Sequence, residues 1–149
     1  MKDGLKMKSR GQALVEMTLM LPIILVFVGG LTDVGLAFFV GTSMENAVRE
    51  GARLKATGVS SATVQTAVVD RVAAKGMFTG GFTTSNVTVT GPTALATSCV
   101  GAQTEVTVTA SGIYNYMFLN LVGLPNTVMA RSETMRFEGP VATPQPLCT

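Results

Sequence analysis

The sequence predicts an α+β protein with a long N-terminal helix, a second helix and a small antiparallel β-sheet of about three to four strands. Three observations support this class. Residues 13–40 form an almost unbroken apolar run, residues 42–75 carry apolar residues at helical spacing, and the chain after Gly80-Gly81 alternates apolar and polar residues as strands do. The first half of the long helix is apolar enough to lie in a membrane.

Composition narrows the class of function. Charged residues make up 13% of the 149 residues, against about 25% in an ordinary soluble protein. The net charge is only +2, and four cationic residues precede the apolar run, so the remainder has no basic excess with which to bind nucleic acid. The chain has no His, and no glycine-rich phosphate loop opens a helix. We therefore expect no enzyme, no catalytic or metal site, no cofactor and no small-molecule substrate.

Residues 13–40 have the length of a membrane span. As a helix they would extend about 42 Å, more than a hydrocarbon core of about 30 Å. The basic residues before the run predict a cytoplasmic N-terminus and a domain outside; these are Lys2, Lys6, Lys8 and Arg10. A secretory signal peptide cut after Ala37 is the alternative, but Glu16 and the apolar Phe38-Phe39-Val40 after that site argue against it.

Two acidic residues interrupt the apolar run. A carboxylate in apolar surroundings requires a partner, and Glu16 can either reach back to Arg10 or Lys8 at the interface or meet a cation in an assembly. Asp33 lies 17 residues further along, about 25 Å on a helix, so the two carboxylates cannot share one contact. We place Asp33 near the outer membrane boundary, with a buried partner in an assembly as the alternative.

Helical periodicity continues beyond the membrane. Residues 42–58 extend the first helix, with a favourable pair between Glu45 and Arg49. The apolar face of this part is narrow and built mostly of small residues: Met44, Ala47, Val48, Gly51 and Ala52. A second helix is predicted over residues 62–75, capped by Ser60 or Ser61 and ended at Gly76. Its buried stripe is Val64, Val68 and Val72.

Strand patterns fill the C-terminal half. Residues 86–90, 104–110 and 127–137 alternate apolar and polar residues and are bounded by turn signals. Residues 113–125 between the last two strands are too short and too mixed to span a bilayer. We expect a turn or short helix there that covers the core, or alternatively contacts the membrane surface or a partner.

The two cysteines, Cys99 and Cys148, are far apart in the sequence. Cysteines in an exported domain usually pair. We therefore predict a disulfide that ties the Pro-rich C-terminal tail back to the loop between the first two strands.

The segment "GQALVE" at residues 11–16 resembles the recognition site of prepilin peptidases. The resemblance implies cleavage between Gly11 and Gln12, and it implies that Glu16 pairs with the freed N-terminal amine of a neighbouring subunit. The residue types suit these roles, because glycine permits close backbone approach and a cation offsets a carboxylate in apolar surroundings. Met17 departs from the pattern, since many pilin-like subunits carry an aromatic residue there.

Two further segments resemble the TadE-like family, which contains minor pilins (pseudopilins) of the tight-adherence (Tad or Flp) pilus. "NAVREGARLKA" at residues 46–56 is similar to the family's "AAREGAR" signature, and "SETMRFEG" at residues 132–139 is similar to its C-terminal ending. The charged residues of the first segment, Arg49, Glu50 and Arg53, could form a salt-bridge network or an interaction surface.

The resemblance implies a prepilin-type leader at residues 1–11, a transmembrane and assembly helix at 12–41 and a pilin-like periplasmic domain at 42–149. The implied partners are the inner membrane, a prepilin peptidase, other minor pilins and the pilus assembly platform. The implied function is pilus assembly and surface adhesion. The alternative is an uncleaved, single-pass scaffold or binding protein of the same apparatus.

Overall fold

The structure is a computed structural model, and it describes residues 8–91 and 105–139. It confirms the α+β class. In chain order the helices and strands are α1 (Lys8–Ala56), α2 (Ser61–Arg71), β1 (Val87–Thr90), β2 (Glu105–Tyr114) and β3 (Thr127–Arg136). The described chain forms two compact units. The helix–loop unit contains α1 as far as Leu36 together with Tyr116–Pro125, which we call the β2–β3 loop; the sheet unit contains the remaining described residues.

Helix α1 is continuous over 49 residues and includes Pro22 in its interior. Its threonines bond back to the helix: the hydroxyls of Thr18 and Thr32 donate to the carbonyls of Leu14 and Val28, at 2.8 and 3.0 Å. Such bonds satisfy a hydroxyl where water is absent. Among the described helices, α1 from Gly11 to Ala56 is long and apolar enough to cross a membrane.

The core of the sheet unit forms on the predicted face of α1. Met44, Ala47, Val48 and Ala52 are all buried, as are Val64, Val68 and Val72 from α2 and its end. At Gly51 an added Cβ would lie 2.5 Å from a methyl carbon of Val68, so the two helices approach closely there. The sheet and the segments on either side of it contribute further core residues: Phe78, Phe82, Val87, Val106, Val108, Ala110, Tyr114 and Phe137.

Helix α2 ends four residues before the predicted boundary at residue 75. Of the two predicted caps, Ser60 rather than Ser61 caps its start, by accepting a hydrogen bond from the Thr63 N–H at 3.3 Å. After Arg71 the chain becomes extended, because its backbone forms hydrogen bonds with Ser43 of α1 instead of continuing the helix. The Ser43 hydroxyl accepts a hydrogen bond from the Ala73 N–H at 2.8 Å and donates one to the Arg71 carbonyl at 3.2 Å. This contact is tertiary, so helical periodicity does not reveal it.

The sheet has the order β1-β2-β3, and both pairs of strands are antiparallel. Strand β2 extends to Tyr114, beyond the predicted end at residue 110, because its whole length pairs with β3, from Glu105 opposite Arg136 to Tyr114 opposite Thr127. Its alternate residues Val106, Val108 and Ala110 are buried. On the other face, the hydroxyls of β2 and β3 pair across the strands, for example Thr107 with Thr134 at 2.9 Å.

Candidate functional site

The N-terminal part of α1 presents apolar side chains that no other part of the described chain covers. Its large apolar residues from Leu14 to Val34 are 40–69% exposed. Apolar surface of this extent on a single chain marks contact with lipid or with another protein. This surface, which we call the apolar shaft, is the first component of the candidate site.

The predicted cleavage and assembly residues lie at the start of the apolar shaft. An added Cβ at Gly11 would meet nothing within 4 Å, so the fold of the described residues does not require glycine there. Gln12 and Glu16 lie one helical turn apart, and the Gln12 side-chain amide donates to the Glu16 carboxylate at 3.3 Å. Glu16 is exposed. Its role in assembly stays a prediction, as does cleavage before Gln12.

Asp33 is the second acidic residue of α1, and it is fully buried. Its carboxylate accepts hydrogen bonds from three consecutive backbone N–H groups of the β2–β3 loop: Met117 at 3.2 Å, Phe118 at 2.7 Å and Leu119 at 2.8 Å. Bonds from backbone N–H groups to an ionised carboxylate are among the stronger hydrogen bonds in proteins. The partner of Asp33 is therefore a loop of its own chain, and no neighbouring subunit is required to satisfy it.

Two glycines allow the β2–β3 loop to approach the helix. An added Cβ at Gly29 would lie 2.5 Å from Cγ of Phe118, and one at Gly30 would lie 3.2 Å from a methyl carbon of Leu119. Gly29 precedes Asp33 by about one helical turn, so the glycine and the carboxylate lie on the same side of α1. The loop is consequently held by a polar contact and by close apolar packing at adjacent positions.

The charged motif of α1 forms two groups of ion pairs in the sheet unit. Two nitrogens of Arg53 donate to the two Glu50 oxygens, each at 3.0 Å, and Arg71 of α2 approaches Glu50 at 3.4 Å. Arg49 pairs with Glu45 one turn away, as predicted, and lies 4.0 Å from Glu133 of β3. The hydrogen bonds from Arg53 lower the pKa of Glu50, and the charges of Arg53 and Arg71 lower it further.

The Glu50 pairs link α1 to α2, and the Arg49 pairs link α1 to β3, so both residues contribute to the sheet unit itself. The same hydrogen bonds raise the pKa of Arg53. The side chains of Arg49 and Arg53 are more than half exposed, which leaves both available to a partner. A role for Arg49, Glu50 and Arg53 as an interaction surface stays a prediction.

Sequence reasoning missed one buried cation in the same region. Lys55, near the end of α1, is fully buried, and its ammonium group donates to the Val59 carbonyl at 3.4 Å. A cation in the last turn of a helix is favoured by the helix dipole and by carbonyls that lack helical partners. The only sequence signal for Lys55 is its position two residues after Arg53 in the last turn.

The remaining predicted sites are not part of this geometry. Cys99 and Cys148, and most of the leader at residues 1–11, lie outside the described residues. Within residues 8–91 and 105–139, no group of three or more His, Cys, Asp or Glu residues is placed to hold a metal ion.

Comparison with protein families gives a match where the candidate site lies. A family model described as "TadE-like protein" matches residues 11–53. This range contains the "GQALVE" segment, the apolar shaft and the "VREGAR" motif, so the resemblance noted from these motifs is confirmed for this part of the chain. The search of curated proteins and the search of solved structures gave no match.

Proposed function

We propose that this protein is a minor pilin, or pseudopilin, of a Tad pilus and that it is not an enzyme. In this proposal the chain is inserted in the bacterial inner membrane with its N-terminus in the cytoplasm and its C-terminal domain in the periplasm. A prepilin peptidase cleaves it between Gly11 and Gln12, and α1 then packs against other subunits as the pilus assembles for surface adhesion. The observation that carries the proposal is the uncovered apolar shaft, with Glu16 at its start, inside the TadE-like segment.

The apolar shaft suits both environments of a pilin. While the protein is in the membrane, lipid covers the exposed side chains, and after assembly the helices of neighbouring subunits replace the lipid. The hydroxyls of Thr18 and Thr32 are satisfied by carbonyls of their own helix. Neither threonine then requires water in either environment.

Glu16 gives the packing of these helices a preferred register. A carboxylate buried without a cation costs several kcal/mol, so helices are favoured in the register that brings a neighbour's N-terminal amine to Glu16. Cleavage before Gln12 creates that amine. The Gln12 amide, the partner of Glu16 in the uncleaved chain, is neutral and forms a weaker bond than an ammonium group does.

The mature N-terminus tests this function. We expect mass spectrometry of the protein extracted from the membrane to show a chain that begins at Gln12 and lacks residues 1–11. Gly11→Val alters the peptidase site while its side chain meets no other part of the described chain, so we expect a stable, membrane-inserted and uncut protein. Gly35→Ala is the matched control, because its added Cβ also meets nothing within 4 Å and cleavage should persist.

The outcome distinguishes the two functional classes. An intact N-terminus in cells that make normal pili would overturn the minor-pilin proposal and favour an uncleaved scaffold of the same apparatus. Cleavage of the wild-type protein, together with an uncut Gly11→Val protein and loss of pili in that variant, supports the proposal.

A further inference from the structure

The β2–β3 loop is unusually apolar for a loop outside a membrane span. Between Ile113 and Asn126 the sequence contains no charged residue. Five large apolar side chains of the loop are 42–82% exposed, and Leu121 is the most exposed of them. Single exposed apolar residues are normal on a protein surface, but a contiguous set usually marks a contact with a partner or a lipid surface. The set comprises Met117, Phe118, Leu121, Val122 and Leu124.

The contacts of the loop fix its level along α1. Asp33 binds the loop backbone, and Gly29 and Gly30 lie against Phe118 and Leu119. Asp33 lies 20 residues after Ala13, where the apolar run begins. Twenty residues of helix extend about 30 Å, which matches the thickness of a hydrocarbon core. With α1 across the membrane, the loop therefore lies at the outer boundary of the bilayer.

The backbone of the loop is adapted to a water-poor layer. Three of its N–H groups donate to Asp33. Four more, those of Leu121, Val122, Gly123 and Leu124, donate to carbonyls within the loop at 3.0–3.2 Å, and Pro125 has no N–H to satisfy. Unsatisfied backbone groups exclude most loops from contact with lipid. Here the Asp33 carboxylate and a short 3-10 turn (Asn120–Val122) supply the partners.

We propose that the β2–β3 loop is a second membrane-contacting element, which inserts the side chains of Leu121 and Val122 into the outer interfacial layer of the bilayer beside α1. We assign lipid as the partner of this surface because the exposed loop residues extend the apolar shaft. Phe27, Val28 and Leu31, the shaft residues on either side of Gly29 and Gly30 in the sequence, are also exposed. The polar loop residues, Tyr116 and Asn120, suit the headgroup level. The inference rests on the proposed insertion of α1 in the membrane.

The absence of tryptophan from the chain allows a direct test. Leu121→Trp introduces a single fluorescent reporter at a side chain that is 82% exposed, so the substitution disturbs no packing. The full-length protein is reconstituted, at a low ratio of protein to lipid, in vesicles of phosphatidylethanolamine and phosphatidylglycerol. Some vesicles contain lipids brominated at a shallow or a deep acyl position. We expect a blue-shifted emission that shallow bromines quench more than deep ones.

Two control reporters set the scale. Phe27→Trp, on the apolar shaft, should be quenched by brominated lipid if α1 spans the bilayer, whereas Ala62→Trp, on an exposed position of α2, should respond only to an aqueous quencher such as iodide. Val122→Trp provides a second loop reporter if Leu121→Trp does not fold.

Each outcome decides between the alternatives. Quenching of Phe27→Trp without quenching of either loop reporter overturns the loop inference alone. No lipid quenching of Phe27→Trp overturns the membrane insertion on which both proposals rest. A loop reporter that is shielded from both lipid bromines and iodide is covered by protein, and this result also overturns the proposal.

Discussion

Replacement of Asp33 gives the most direct test of how the β2–β3 loop is held. Asp33→Leu keeps the branched side-chain shape, although leucine is larger, and removes the acceptor of three N–H groups, while Asp33→Asn retains one carbonyl oxygen without the charge. We expect both variants to insert in the membrane, because each is more compatible with an apolar segment than the wild-type carboxylate. The loop should detach from α1 in Asp33→Leu and should be weakened in Asp33→Asn.

The size of the effect follows from the number of bonds lost. A buried donor left without a partner costs about 1–3 kcal/mol, and bonds to a charged group lie at the upper end. Part of the loss is offset because the buried charge and its desolvation cost disappear with the carboxylate. For Asp33→Leu we expect a loss of about 2–4 kcal/mol in the free energy of loop docking, which shifts the ratio of docked to detached loop by roughly 30- to 700-fold.

Hydrogen exchange measured by mass spectrometry on the protein in lipid nanodiscs checks this value. The amides of Met117, Phe118 and Leu119 should lose protection by that factor in Asp33→Leu and by a smaller one in Asp33→Asn. Thr32→Val is the matched control, since the Thr32 hydroxyl bonds only within its own helix, and it should leave the loop protected. Wild-type protection of the three amides in Asp33→Leu would refute the assignment of Asp33 as the acceptor that holds the loop.

Three further predictions concern assembly and the sheet unit. Glu16→Ala should leave membrane insertion intact and abolish pili in sheared-cell preparations. Glu45→Ala, which removes an acidic residue elsewhere on α1, is the control and should still assemble. Wild-type pilus amounts in Glu16→Ala would contradict the role of Glu16. Because the folded-state pKa of Glu50 is lowered, the stability that its pairs supply is present above the unfolded-state pKa of about 4.3 and is lost as the pH falls through the lower folded-state value. Glu50→Gln should therefore flatten the decline in melting temperature on the acid side, and an unchanged acid slope would count against the network. Gly51→Ala should lower the free energy of unfolding, measured by chemical denaturation, by about 1–2 kcal/mol, since the clash with Val68 exceeds the gain in helix propensity. Gly76→Ala is the control and should be neutral, because its added Cβ meets nothing within 4 Å. In a protein that also carries Val68→Ala, the cost of Gly51→Ala should be smaller.

The sequence predicts those parts of the fold that depend on residues close together in the chain. The apolar run, the narrow face around Ala47 and Val48 and the Ser60 cap each depend on residues within a few positions, and the structure places all three as predicted. The end of α2 is different, because Ser43, about 30 residues away, captures the chain after Arg71. No periodicity in residues 62–75 encodes that contact.

The candidate site likewise has a part that the sequence predicts and a part that depends on tertiary contacts. The sequence indicates that the Asp33 carboxylate needs a partner, but that partner is the backbone of residues 117–119. Every non-proline residue carries a backbone N–H group, so these three leave no signal in the sequence. A search of the sequence for a basic side chain therefore does not identify the partner of Asp33. These amides lie 84–86 residues after Asp33 in the sequence, so their identification requires the tertiary structure as well as the motif.

The two acidic residues of the apolar run consequently differ in what they leave for another subunit. Asp33 is buried and bonded to three amides of its own chain, so the carboxylate at the C-terminal end of the apolar shaft is already satisfied within one chain. Glu16 is exposed, and its partner in the described structure is the neutral amide of Gln12. A cation brought by a neighbour therefore gains most at Glu16, where the carboxylate would otherwise become buried without a compensating charge. Asp33 had two interpretations from the sequence, and the hydrogen bonds to the β2–β3 loop remove the need for an assembly partner there. In the proposed assembly, the specificity of helix packing should then reside at the N-terminal end of α1, while the C-terminal end of the apolar shaft keeps its contact with the β2–β3 loop.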